Sequence, residues 1–345
     1  VQWVCACPDQ LLWYCCMAEY HDCDFDVEEW AIEAAELYTL PPVSCEPGDA
    51  SAVEASGASP ELGQCGDWDA FYGAHSTGNF FKPRRYLALE FGAYLGKRQG
   101  QEEVQGQGVH AVCEVGCGYG CSMFPLLERF GFSYVATDYS QGALSILQQH
   151  PRFDPQRCAL LRWDVTQPPS EALLSACASA CASTPISSVF TPLPLPLPLA
   201  VLAVFALSAV HPEQHLACLL HMRQLLTTAH TAAPASISPA SSPAPVPSSP
   251  APSASASSSG VILFRDYGVH DITMYRHNRR LSQHLFQRPD DTLAYYFDLQ
   301  YVQSLADRAR LRVLELRYAT VRTENRKSGA VMRRVYVHAV LVVDE

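Results

Sequence analysis

The chain is 345 residues long, 48% apolar and 17% charged, a composition that reads as globular and can bury one large core or two small ones. Its formal net charge of -11 speaks against a nucleic-acid partner only until it is divided along the chain. Residues 1–67 hold 14 Asp and Glu and no Lys or Arg, while from residue 261 onward 14 Arg and Lys face 10 acids, so an acidic extension on a mildly basic body leaves an RNA partner open.

The extension combines an acidic, helix-like stretch at 27–38 with a Pro-, Gly-, Ser- and Ala-rich stretch at 41–66, and is expected to be tethered or disordered over residues 1–67. One domain is expected over 68–345. Within it, residues 109–115 read as a strand and glycines follow. Residues 122–130 read as a helix, 134–137 as a short apolar strand, 142–149 as a helix and 159–163 as a strand. Strand and helix alternating at this spacing predict βαβ units and a parallel sheet. Residues 193–210 are nearly all apolar, but Pro194, Pro196 and Pro198 remove helix donors. The run is therefore expected to be a Pro-rich loop entering a buried strand at 199–207, with no membrane span. Residues 227–259 are almost entirely Ala, Ser and Pro. Helical sequence precedes them and a strand at 261–264 follows, which predicts a disordered insertion within the domain.

The 14 cysteines lack the short chain and regular spacings of a secreted disulfide framework, and no signal peptide is evident. Cys5, Cys7, Cys15 and Cys16 do not form the paired spacing of a zinc site, and Cys113, Cys117 and Cys121 flank glycines. Reduced structural thiols, no metal and a cytoplasmic compartment are expected.

Chemistry concentrates where the first strand turns toward a helix. Gly116, Gly118 and Gly120 permit close approach of a ligand to the backbone there. Glu114 precedes this loop, Asp138 closes the next strand and Asp164 the one after, so all three acids fall at carboxyl ends of strands. Asp138 stands at the spacing of a carboxylate that grips ribose hydroxyls. A dinucleotide loop places glycine at the sixth motif position, which is Cys121 here, and this disfavours NAD. Ahead of the sheet, residues 68–72 and 79–87 interleave aromatics with cations. That pattern suits base stacking and phosphate contact as well as a helix capping the core with its aromatics.

Six segments together, 68–91, 114–127, 136–144, 204–214, 260–271 and 324–340, resemble the eukaryotic tRNA 3-methylcytidine methyltransferases, in that family's order. The resemblance implies a class I, Rossmann-like fold: a doubly wound, seven-stranded, mostly parallel sheet with helices on both faces. It implies S-adenosylmethionine as cofactor, with Gly116 and Gly118 lining its methionine end, Glu114 supporting the loop, Asp138 on the ribose and Asp164 at the adenine amino group. Ala206, Leu207 and Ser208 match the strand end lining the methyl-donor pocket. Phe80, Phe81, Lys82 and Arg84 match the substrate-side signature, Arg333 and Arg334 are candidate RNA contacts, and Arg265, Asp266 and Tyr267 form the candidate catalytic set. The chain departs from the family at Pro83, Arg85 and Tyr86, which replace Asp, His and Trp, and at Phe190, where an acid is usual.

The activity so implied is methyl transfer to N3 of the cytidine at position 32 of the tRNA anticodon loop. A tRNA-presenting protein such as an aminoacyl-tRNA synthetase is a partner compatible with it. Neutral cytosine carries a lone pair on N3, so no strong base is required, and Asp266 is the expected electrostatic partner of the cationic product. Two alternatives stand beside this reading. A methyltransferase of a small molecule or protein would share the cofactor motifs but not the aromatic and Arg signature, and a non-catalytic RNA-binding relative would fit an irregular fourth strand.

Overall fold

The computed structural model describes residues 22–43, 66–75, 80–96, 109–182, 199–232, 260–324 and 329–344. The Pro-rich run before residue 199 and most of the Ala/Ser/Pro insertion lie outside these residues.

The described chain begins with helix α1 (Val27–Leu37), started by Asp26, whose carboxylate accepts from the Glu28 and Glu29 amides. Eleven residues of helix are marginal alone, so packing must hold α1 in place. Trp30 and Ala34 supply it, buried against Ile272 and Val335, and Trp30 Nε1 donates to the His270 carbonyl at 2.7 Å. The expectation of an unpacked extension therefore fails for residues 22–43, because one aromatic at helical spacing from one Ala gives the acidic stretch an apolar face.

Three helices follow, α2 (Gly66–Ala74), α3 (Leu87–Glu90) and α4 (Gly92–Leu95). The alternating part then runs β1 (Ala111–Val115), α5 (Met123–Leu127), β2 (Ser133–Asp138), α6 (Gln141–Gln148), β3 (Cys158–Arg162), α7 (Glu171–Ala182), β4 (Leu199–Val204), α8 (His215–Ala232) and β5 (Val261–Tyr267). Residues 227–232, read as part of the insertion, continue α8, since Thr and Ala at its start are tolerated where Leu225, Leu226 and Ala229 still face the core. A small antiparallel sheet of β6 (Arg279–Arg280), β7 (Leu285–Gln287) and β8 (Leu293–Tyr295) precedes α9 (Leu299–Arg308). The long hairpin of β9 (Leu311–Glu324) and β10 (Val331–Val343) ends the described chain.

The main sheet has the order β3-β2-β1-β4-β5-β10-β9. Strands β1 to β5 pair in parallel and β10 runs antiparallel to both β5 and β9. This is the doubly wound, mostly parallel, class I methyltransferase arrangement expected from the sequence. Strand β4 shows why such strands read as continuous apolar runs: all six residues are fully buried. Leu199, Val201 and Ala203 enter the core under α7, α8 and α9, while Ala200, Leu202 and Val204 enter the opposite core with Leu87, Phe91, Met123 and Phe130. The strand order reverses between β1 and β4, which opens a crevice at their carboxyl ends. Among the described residues, no helix is long and apolar enough to cross a membrane.

Candidate active site

The crevice begins at the turn after β1. Gly116 and Gly118 adopt φ of 67° and 53°, left-handed values that side chains disfavour. Space is tight as well: a Cβ on Gly118 would stand 2.7 Å from the Tyr72 hydroxyl, and one on Gly116 would stand 3.0 Å from Ala206 Cβ. The turn is thus a narrow backbone cradle with α2 on one side and the end of β4 on the other.

Three carboxylates lie at the carboxyl ends of the strands on this side of the sheet. Asp138 accepts from the Gly118 amide at 2.8 Å and the Ser140 amide at 2.9 Å, so the loop and the acid hold each other. Burial pushes its pKa up to about 6, against the lowering effect of those two N–H donors. Glu114 lies wholly inside, accepts from the Tyr134 hydroxyl at 2.8 Å, and is pushed by burial up to about 7. Asp164, past the end of β3, is half-buried and accepts from the Thr166 amide and hydroxyl at 2.9 and 2.7 Å. The three acids thus stand at or next to the carboxyl ends of β1, β2 and β3, and Asp138 is the one bonded to the glycine turn itself.

Helix α2 closes the cradle. Asp69 accepts from the Ser140 hydroxyl, and Tyr72, 5% exposed, lies over Gly118 with its ring edge-on to Tyr119 at 6.2 Å. Phe71 packs with Tyr72, Tyr119 and Phe81, so the aromatics of 68–72 largely cap the core. Asp69 and Tyr72 were not singled out by sequence reasoning, although the one-turn spacing of Trp68 and Tyr72 marks a helix face that turns toward the glycines.

Beyond Ala206 lies a second surface. Phe205 follows β4 with φ of 55°, and its ring stands 4.9 Å from Tyr267 and 5.5 Å from Tyr336. Arg84 lies 5.1 Å over Phe205 and donates to Val204 O and Ser122 Oγ at 3.2 and 3.1 Å. Arg334 stands 5.1 Å over Tyr336 and pairs with Asp271 at 2.8 Å. Phe205 and Tyr336 were missed because their neighbours lie 60 to 130 residues away in sequence.

The other expected site residues are placed as follows. Asp266 is fully buried, accepts from the Ser208 and Tyr267 amides at 2.9 Å each, and is pushed by burial up to about 6. It fastens the loop after β4 to β5. Arg265, its neighbour, must face the opposite side of the strand. It is 2% exposed and ion-paired with Glu90. Leu207 buries its side chain in the core, leaving Ala206 as the residue against Gly116. Phe80 and Lys82 are exposed, Phe81 is half-buried on Phe71, and Arg333 is held by Glu33 and by Trp30 at 4.5 Å. No group of three or more His, Cys, Asp or Glu among the described residues could hold a metal ion.

No family model matches the chain. The tRNA N(3)-cytidine methyltransferase METTL6 of Rattus norvegicus is 30% identical to it over 277 residues, 79% of this chain and 77% of the relative. The tRNA(Thr) (cytosine(32)-N(3))-methyltransferase of Saccharomyces cerevisiae is 26% identical over 286 residues, 81% of this chain and 37% of the relative. A solved S-adenosylmethionine-dependent methyltransferase from Anabaena variabilis superimposes with a TM-score of 0.46 at 9% identity, over 81% of this chain and 94% of that one. With 30% identity to the rat protein across most of both chains, this chain belongs to the tRNA N(3)-cytidine methyltransferase family.

Proposed function

We propose that this protein transfers a methyl group from S-adenosylmethionine to N3 of a cytidine in tRNA, with position 32 of the anticodon loop as the target. The observation that carries this reading is the adjacency of the glycine cradle and the aromatic surface, which meet at Ala206. The residues suit the cofactor: the turn offers bare backbone where a Cβ would crowd Tyr72 and Ala206, and Asp138 is a carboxylate already oriented by two N–H donors. When bound, S-adenosylmethionine supplies an electrophilic sulfonium methyl. In this reading Asp138 accepts from the ribose hydroxyls, Asp164 from the adenine amino group, and Glu114 stiffens the turn from below.

Cytosine N3 brings its own lone pair, so the chain's task is orientation, worth on the order of 7 to 11 kcal/mol for well-aligned partners. The N3 edge is paired or stacked in a helix, which requires an unpaired or extruded base. Phe205, Tyr267 and Tyr336 offer the rings on which such a base rests. Asp266 is fully buried, so in this reading it acts through its neighbours and not by touching the base. Its buried charge beside Tyr267 offsets the positive charge that grows on the base, and it fixes the loop carrying Ala206. Phe80, Phe81 and Lys82 keep the RNA-facing role, while Arg84, Arg333 and Arg334 act through the internal partners they hold. A tRNA-presenting protein such as an aminoacyl-tRNA synthetase and a cytoplasmic location complete the proposal.

The test is nucleoside mass spectrometry of unmodified tRNA after incubation with protein and cofactor. 3-Methylcytidine is expected. Cofactor binding without any tRNA methylation, or methylation of protein extract instead, would overturn the reading.

A further inference from the structure

Behind the aromatic surface, four ionisable side chains from three distant parts of the sequence form one buried chain of contacts. Arg265 of β5 pairs with Glu90 of α3. Glu90 Oε1 stands 2.9 Å from His338 Nδ1 on β10, and His338 Nε2 stands 2.9 Å from Glu315 Oε2 on β9. The Tyr94 hydroxyl of α4 donates to Glu315, and the Phe91 ring stacks on His338 at 4.9 Å and 17°. The side chains of Arg265, Glu90 and His338 are at most 3% exposed.

Buried ion pairs are poor sources of stability, because desolvation offsets their attraction. Where they do contribute, they fix one arrangement among several. Here the arrangement fixed is that of the segment bearing α3 and α4 against the sheet. The Arg265 guanidinium lies between two rings, 4.8 Å from the centre of Tyr86 and 4.4 Å from that of Tyr336. Tyr86 is two residues from Arg84, which covers Phe205, and Tyr336 itself touches Phe205. One planar cation thus sets the position of two walls of the surface assigned to the target base.

We infer that Arg265, Glu90, His338 and Glu315 form an internal latch that positions Arg84 and Tyr336 around the target base, and that Arg265 is a positioning residue which touches neither cofactor nor RNA. The inference rests on the methyl-transfer reading for its kinetic consequence, and on geometry alone for its structural one. A planar guanidinium stacks between two rings, whereas a lysine ammonium is a compact point charge, so Lys restores the ion pair but not the sandwich.

Two variants test this, each compared with the full parent chain. For Arg265→Lys, cofactor affinity by calorimetry should stay within about two-fold while kcat at saturating tRNA falls at least about ten-fold. Amide exchange across residues 84–95 should quicken, with β1 to β3 as protected as before. Glu315→Gln, at the more exposed end of the chain, should quicken exchange in the same segment and lower kcat by about three-fold. Parent-like kcat together with parent-like exchange in Arg265→Lys would overturn the latch, and so would equal losses of cofactor affinity and kcat in both variants. Absence of 3-methylcytidine with the parent would instead overturn the function, and the exchange measurement would still decide the latch.

Discussion

The two halves of the crevice are built differently. On the side of β1, β2 and β3, the three acids come from a stretch of about fifty residues, at or near the ends of successive strands, and their partners, backbone amides for Asp138 and Asp164 and the Tyr134 hydroxyl for Glu114, lie within that stretch. On the side of β4, β5 and β10, the groups come from residues 84 to 336 and meet through ring faces and buried ion pairs. A cofactor common to many reactions can be held by local turns. In the proposed reading the acceptor, which makes one reaction differ from another, is met by contacts that only the complete fold assembles.

Substitutions on each side should therefore separate cofactor binding from turnover. Asp138→Ala removes a buried charged acceptor, and hydrogen bonds to charged groups contribute about 1.5–3 kcal/mol each, so cofactor affinity should fall about 100-fold. Calorimetry showing parent-like affinity would take Asp138 out of the site and break the contrast. Phe205→Ala should do the reverse. Base–aromatic stacking contributes about 1–3 kcal/mol, so kcat/KM for tRNA should fall about 30-fold with cofactor affinity unmoved. A loss confined to cofactor affinity would place Phe205 on the wrong side.

Acidity gives a third, smaller probe. With Asp138 pushed up to about 6, the group is ionised at pH 7.5 and mostly protonated at pH 5. A protonated acid is a poorer acceptor for hydroxyls, so cofactor affinity should fall about ten-fold over that range, and Asp138→Asn should flatten the dependence. The sign for folding is opposite. A carboxylate whose value rises on folding stabilises the fold below its unfolded pKa, and that contribution is lost as pH climbs through 6. The smallest effect belongs to Arg333→Ala, where Glu33 and Trp30 already occupy the guanidinium. The KM for tRNA should change by no more than about two-fold, as for an exposed ion pair. A ten-fold rise would show that tRNA displaces Glu33.

Legibility in the sequence followed the same division. The parallel strands β1 to β5 and the acids Glu114, Asp138 and Asp164 could be placed because periodicity and turn chemistry are local signals, whereas β6 to β10 were not read as strands. Arg265 illustrates the limit: its neighbour Asp266 and the Tyr267 beyond it suggested one reactive string, yet alternation along β5 sends Arg265 to the opposite face, toward a Glu90 that lies 175 residues earlier. Arg84 read as an RNA contact because cations beside aromatics suit phosphates, and nothing in the string itself reveals that Val204 O and Ser122 Oγ await it inside. The docking of α1 was equally hidden, since its acidic composition masks a face of only two buried residues.

That docking bears on the handling of the protein itself. Strand β9 is the last of the seven, and residues 22–25 run along its outer side: Thr320 donates to Asp22 O, Asp24 donates back to Thr320 O, and the Arg322 amide donates to the Asp24 carboxylate. A shortened version starting at residue 66 would bare those backbone groups, and a long unpaired margin is a template for a second molecule. Trimming the acidic arm would thus expose the backbone of β9 around Thr320 and favour edge-to-edge aggregation, even with the crevice intact.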